Sequence, residues 1–242
     1  MGRVVAFLYG IVCYLVFLAA FLYAIWFVWT MDAPQTAEPL GGALLFNTAL
    51  LGLFAVQHSV MARQWFKRAW TKVVPEPVER STYVLVASLV LIALVYFWQP
   101  MTAVIWEVET EAVAVTLQGL FWLGWLVVLV STFLIDHFDL FGLKQVWLHL
   151  RHQTYEPPTF QTPGPYKLVR HPLYLGFLIA FWSTPRMTSG HLYFAVMCTA
   201  YILLAIQFEE SDLVSIHGED YKVYRSGVSM LVPWPRARKK SS

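Results

Sequence analysis

The stretch Val4–Thr30 carries no charged side chain over 27 consecutive residues. A helix needs about 20 such residues to cross the hydrocarbon of a bilayer, and the core of a signal peptide is shorter, so this is a retained span. Further apolar stretches cover about 41–61, 81–98, 112–135, 173–185 and 189–208. The fifth is short and ends at Pro185, which predicts a hairpin with the sixth. With 58% hydrophobic and 13% charged residues over 242 positions, disorder is excluded, and a membrane protein rather than a purely soluble one is expected. The predicted fold is all-α: a polytopic integral membrane helical bundle of five to six transmembrane segments.

Orientation follows from the basic residues, because short cytoplasmic loops collect Lys and Arg. An inside N-terminus places Arg3, then Arg63, Lys67, Arg68, Lys72 and Arg80, then Lys144, Arg151, Lys167 and Arg170, and finally Lys222, Arg225, Arg236, Arg238, Lys239 and Lys240 on the inner side. Only Arg186 falls outside, where the turns carry Asp32, Glu38, Glu107, Glu109 and Glu111 instead. Both termini are therefore expected in the cytoplasm, with the chain in the inner (cytoplasmic) membrane. A net charge of +2, scattered along the chain, leaves no basic footprint for nucleic acid. Cys13 and Cys198 both lie in apolar stretches and read as small buried residues, which excludes a disulfide framework or a paired-cysteine zinc site.

Ionisable residues inside or at the rim of a span are costly and so are functional candidates. His58 lies near the cytosolic end of the second span, and Asp136, His137 and Asp139 lie at that of the fourth. The topology puts the two groups at one depth. His58 and His137 titrate near neutrality and suit a general base, with Asp139 to orient one of them. The alternative is that they only hydrogen-bond neighbouring helices. His149 and His152 add to the imidazoles, but the spacing matches no metal site, and none is expected. A dinucleotide fingerprint, a phosphate loop and a serine nucleophile elbow are all absent.

The segment Gly164 to Gly176, reading Gly-Pro-Tyr-Lys-Leu-Val-Arg-His-Pro-Leu-Tyr-Leu-Gly, differs in kind. Pro172 suits the first position of a helix, and Arg170-His171 stand just before it, where exposed N–H groups favour an anion such as a cofactor carboxylate. Beyond the hairpin come Glu209-Glu210 and then Gly218-x-x-Tyr221-x-x-Tyr224. Over about 163–235 this ordered set resembles the isoprenylcysteine carboxyl methyltransferase superfamily, polytopic enzymes that bind S-adenosylmethionine. The resemblance implies that Arg170, His171, Tyr174, Gly176, Glu209 and Glu210 line the cofactor site, and that 136–242 is the catalytic region following four spans in 1–135, the two forming one functional unit. The runs Gln57–Arg63 and Asp136–Gln145 are similar to a narrower subgroup, the membrane-bound methanethiol S-methyltransferases and related proteins of nitrogen-oxide metabolism. Gly227-Val228-Ser229 stands where the carboxyl methyltransferases tend to carry a basic residue, which argues against a prenylcysteine substrate.

A sulfonium cofactor is a cation, attracted by aromatic faces and carboxylates. Tyr166, Tyr174, Trp182, Tyr221 and Tyr224 supply the first, Glu209 and Glu210 the second. The expected function is methylation by S-adenosylmethionine of a small apolar thiol, methanethiol giving dimethyl sulfide. The alternatives are a lipid or prenylcysteine methyltransferase, and a haem-binding accessory protein without enzymatic activity.

Overall fold

A computed structural model describes residues 2–32, 39–157 and 159–233. Glu38 and the basic residues Arg236, Arg238, Lys239 and Lys240 lie outside them. Among the described residues, five helices are long and apolar enough to cross a membrane: α1 (Arg3–Thr30), α2 (Leu40–Ala62), α4 (Glu76–Tyr96), α5 (Glu111–Ile135) and α9 (Ser189–Gly227). Shorter helices are α3 (Gln64–Trp70), α6 (His137–Leu140), α7 (Leu143–Leu150) and α8 (Pro172–Trp182), with a 3-10 turn at Gly164–Lys167. The chain is an all-α polytopic membrane protein, as its apolar runs require.

Two elements were not expected. Val104–Glu107 (β1) and Arg186–Thr188 (β2) pair into a two-stranded ribbon. Runs of four and three residues are too short to display a strand period. The apolar part of the last span ends near Phe208, yet α9 runs on to Gly227, with non-helical dihedrals at Gly218 (φ 57°, ψ −124°). That conformation is essentially reserved for glycine, and it redirects Glu219–Gly227.

The chain forms two compact units. The first comprises Met1–Trp106, Asp136–Pro157 and Arg186–His191, and the second Glu107–Ile135, Pro158–Pro185 and Leu192–Ser242. In the first, α1 packs on α4 and α7, and α4 also on α2. Ala6, Val78 and Val146 form one buried cluster, and Gly10 lets α7 approach so closely that a Cβ there would lie 2.5 Å from a Val146 methyl. In the second unit α5 packs on α8. A Cβ on Gly124 would come within 2.6 Å of the Ala180 nitrogen, and one on Gly176 within 2.7 Å of the Gly124 carbonyl. Lipid tails are as apolar as leucine, so helices in a bilayer associate through such close backbone approach rather than through hydrophobic burial. The large side chains point elsewhere: Val12, Leu15, Leu22, Leu45 and Phe133 are all more than half exposed, as lipid-facing residues should be.

Candidate functional site

The second unit gathers the residues of the Gly164 to Gly176 motif around one carboxylate. Arg170 enters from a short parallel bridge between Val169 and Ser229, His171 precedes Pro172 at the start of α8, and Glu210 projects from α9. Arg170 Nε donates to Glu210 Oε1 at 2.7 Å, and His171 Nε2 lies 3.1 Å from the same oxygen. Arg225 Nη1 stands 3.7 Å from Glu210 Oε2. Arg170, His171 and Glu210 are all buried. Charges taken out of water need partners and hydrogen bonds, and here each has them. Arg170 Nη1 also donates to the Arg225 and Val228 carbonyls, while the backbone N–H groups of Arg170 and His171 bond the Ser229 and Met230 carbonyls. Arg170 thus fastens the strand after α9 to the start of α8.

Glu209 behaves differently from its neighbour. Its side chain is 44% exposed, with Oε1 4.0 Å from His171 Nδ1. It is the carboxylate of the pair able to meet a ligand. Aromatic faces surround this region. Tyr174 packs 5.7 Å from the His171 ring, and Phe160 touches Tyr221 and Tyr224 at 5.7 and 5.5 Å. The Tyr224 hydroxyl donates to the Tyr166 carbonyl at 2.6 Å, which positions that 3-10 turn. Burial above all, then Glu209 and Tyr224, push the Tyr166 phenol well above its ordinary pKa. Tyr221 is buried, and its hydroxyl has no hydrogen-bond partner among the described residues. A buried orphan hydroxyl beside carboxylates and ring faces fits a polar, positively charged ligand such as a sulfonium amino acid. Gly176 serves the packing of α8 on α5, and Trp182 donates its indole N–H to Thr199 at 3.0 Å.

The three residues expected to do proton transfer lie in the first unit, each with a partner the sequence did not reveal. His58, on α2, has both ring nitrogens 3.1 Å from the Tyr83 hydroxyl and stacks on Phe54 at 5.3 Å. His137 Nε2 lies 2.8 Å from the Tyr14 hydroxyl of α1. Phe141 joins them: it contacts the His137 ring at 4.8 Å and packs on the buried cluster of Met61, Tyr83 and Val84. The two histidines therefore flank one aromatic cluster. Burial lowers the His137 pKa below the usual imidazole value, so it is neutral at neutral pH and able to take a proton. Asp139 is occupied otherwise, accepting from Gln145 Nε2 at 3.2 Å and bonding Tyr155. Asp136 caps α6 through the Asp139 N–H (3.1 Å) and pairs with Lys144 at 2.5 Å. Desolvation opposes ionisation of Asp136, but the Lys144 bond, the capped N–H and the Lys144 charge together hold its pKa below the ordinary range. No group of three or more His, Cys, Asp or Glu able to hold a metal occurs among the described residues.

Tyr14 and Tyr83 could have been suspected from sequence only by their place inside apolar spans, a signal shared by many lipid-facing tyrosines. A third cluster was missed outright. His191 is 1% exposed, with Nδ1 3.0 Å from the Asp32 carboxylate, which also accepts from Thr188 Oγ1 at 3.4 Å.

Comparison with known proteins adds the chemistry. The chain is 55% identical to "Methanethiol S-methyltransferase" of Mycobacterium tuberculosis over 97% of its length and 98% of that protein's. It is 52% identical to "Methanethiol S-methyltransferase 1" of Bradyrhizobium diazoefficiens, covering 97% and 84%. Rat "Nurim" is 32% identical over 71% of this chain and 68% of its own. No family model matches, and neither does any solved structure.

Proposed function

The chain belongs to the methanethiol S-methyltransferase family, and from that membership we propose that it transfers a methyl group from S-adenosylmethionine to methanethiol, giving dimethyl sulfide. The observation that carries this reading is the convergence of Arg170, His171 and Glu210 on one buried charge centre beside ring faces and the exposed Glu209, in a chain of that family. The cofactor supplies an electrophilic methyl group when bound. The residues proposed to hold it are Tyr166, Arg170, His171, Tyr174, Gly176, Glu209, Glu210 and Tyr221.

Their tasks differ. Glu209 and the tyrosine faces favour a cation. Arg170 and Glu210 fix the floor, while Gly176 acts by keeping α8 tight against α5. The thiol sulfur forms a bond to the methyl carbon as the old carbon–sulfur bond breaks, and the bonding pair stays with the departing sulfur. The thiol proton must go to a base, because the thiolate is the nucleophile. His137, neutral and hydrogen-bonded to Tyr14, or His58, bonded to Tyr83, takes it. Asp139 acts through Gln145 and α7, orienting the segment that carries His137. In the proposed orientation both termini face the cytoplasm, from which the cofactor enters.

The test incubates purified protein with methyl-labelled S-adenosylmethionine and separate methanethiol, lipid-amine and prenylcysteine acceptors. Label appearing in dimethyl sulfide alone is the expected result. Label in a lipid or prenyl product, or in nothing, refutes the proposal.

A further inference from the structure

Where α1 and α4 begin, three elements of the first unit leave a cavity of about 240 Å³ that is open to the outside. Ala6 of α1, Pro75, Pro77 and Val78 at the entry to α4, and His149 near the end of α7 line it. A single water needs about 10–15 Å³ of such space, so a polar group of many atoms fits. The walls are rigid. Two prolines fix the chain that enters α4, and Ala6, Val78 and Val146 form the buried cluster against which Val74 packs.

Cations stand around it. Arg3 lies three residues before Ala6, on the same face of α1, and its guanidinium contacts the ring of His152, three residues beyond His149. The chain leaves α7 through His152 in the left-handed region (φ 61°), a strained conformation for a residue other than glycine. Arg151 adds a further cation, lying 5.8 Å over the ring of Trp147. No carboxylate pairs with Arg3, Arg151 or His152 among the described residues. The acidic residues of the first turn of α4 are Glu76, exposed between the two prolines, and Glu79. Beside Ala6 the outer face of α1 is apolar, with Val4, Val5 and Leu8 all more than half exposed.

We propose that this cavity binds the headgroup of an anionic phospholipid, with the phosphate at Arg3 and His152, the glycerol against Pro75, Pro77 and His149, and the acyl chains along Val4, Val5 and Leu8. Ala6 and Val78 each lie within the first turn of a span, which is the depth of the headgroups. Arg3 and His152 have no carboxylate to neutralise them, and a phosphodiester supplies that charge while its tails cover the apolar face. In the proposed orientation this end meets the cytoplasmic leaflet, where basic pockets between spans recognise anionic headgroups. Trp147 is half exposed beneath Arg151, as a side chain at the membrane interface should be.

The test is native mass spectrometry of the full chain released from nanodiscs made of phosphatidylglycerol and phosphatidylcholine in equal amounts. Wild type should retain phosphatidylglycerol in preference to phosphatidylcholine, with saturable occupancy. Arg3→Gln should lower that preference about fivefold, the worth of one basic residue at an anionic surface, and Arg3→Lys should restore most of it. Arg68→Gln makes the same charge change at an exposed position of α3 and should leave the bound lipid unchanged. Glu76→Gln should raise the preference by a similar factor, a gain that misfolding cannot produce. Pro75→Trp, which fills the cavity from its exposed wall, should exclude the lipid while the helical circular dichroism stays unchanged. No preference for phosphatidylglycerol, an equal loss with Arg68→Gln, or no gain with Glu76→Gln overturns the site. Displacement of the lipid by inorganic phosphate alone also overturns it, since that marks an anion site without a place for the acyl chains.

Discussion

Glu210 carries the heaviest electrostatic duty in the chain, since Arg170, His171 and Arg225 all address it and its side chain is 8% exposed. Removing one partner of a buried pair strands the other, at a cost of about 3–5 kcal/mol. Glu210→Gln should therefore lower the thermal unfolding temperature and abolish calorimetric binding of S-adenosylmethionine, whereas Glu107→Ala, on the exposed strand β1, should change neither. Equal effects would refute the assignment of the acidic pair. His137 gives a second outcome. General-base assistance is worth about 10²–10⁴ in rate, so His137→Ala should reduce single-turnover methyl transfer at least ~10²-fold with cofactor affinity unchanged, and His58→Ala should do so if it is the base instead. Burial lowers the His137 pKa, so the acid limb of the rate profile should lie below the ordinary imidazole value of about 6.5. Tyr14→Phe should move that limb without changing cofactor binding, which a purely structural hydroxyl would not do. Arg170 and His171 were legible in the sequence because they are contiguous within one motif, and Glu210 because it follows in the same ordered set, 39 positions after His171. Tyr14 lies 123 positions from its partner, and no local pattern encodes such a contact.

Among the helices, α8 shows how sequence and packing divide the explanation. Its eleven residues span only about 16 Å at 1.5 Å per residue, less than the hydrocarbon thickness. Its place is set by glycine contacts with α5 beside the hairpin with the last span that the sequence suggested. Side-chain contacts to α9 do exist, as between Phe181 and Phe194 at 5.1 Å, but the backbones meet at Gly124 and Gly176. Gly176→Ala should therefore destabilise the protein and weaken cofactor binding together, because the new methyl group meets a carbonyl at 2.7 Å with no flexible neighbour to yield. Recovery by Ala180→Gly is not expected, since the clash is with Gly124. The join of α6 and α7 responds to pH in a defined direction. Asp136 is ionised more readily in the folded state, so its contribution is complete above the ordinary carboxylate pKa of about 4 and is lost as pH falls through its lower folded value. Asp136→Asn keeps the cap but removes the Lys144 pair, and should flatten the acid side of the stability profile. Asp136→Ala should cost about 1 kcal/mol more, the worth of an N-cap. Thermal unfolding from pH 3 to 7 checks both.

Topology brings these parts into one argument. Five long spans alone would put the two termini on opposite sides, whereas 16 of the 17 basic residues fall on one side only if the α8–α9 turn returns to the side of the α4–α5 turn. β1 follows α4, and β2 precedes α9, and the two are hydrogen-bonded neighbours, so the residues just after α4 lie beside those just before α9. Asp32, just beyond α1, joins them through His191 and Arg186. Arg186, the one basic residue expected on the outer side, has its guanidinium engaged with the Asp32 carbonyl. The expectation is that both termini face the cytoplasm. In a background with Cys13 and Cys198 replaced, single cysteines at Lys72, His149 and Lys239 should resist an impermeant maleimide applied to intact cells, and a cysteine at Glu109 should react. Labelling of Lys239 from outside would mean an odd number of crossings and would separate the cofactor motifs from the cytoplasm. Labelling of Lys72 would invert the whole arrangement, and with it the side from which S-adenosylmethionine reaches Glu209.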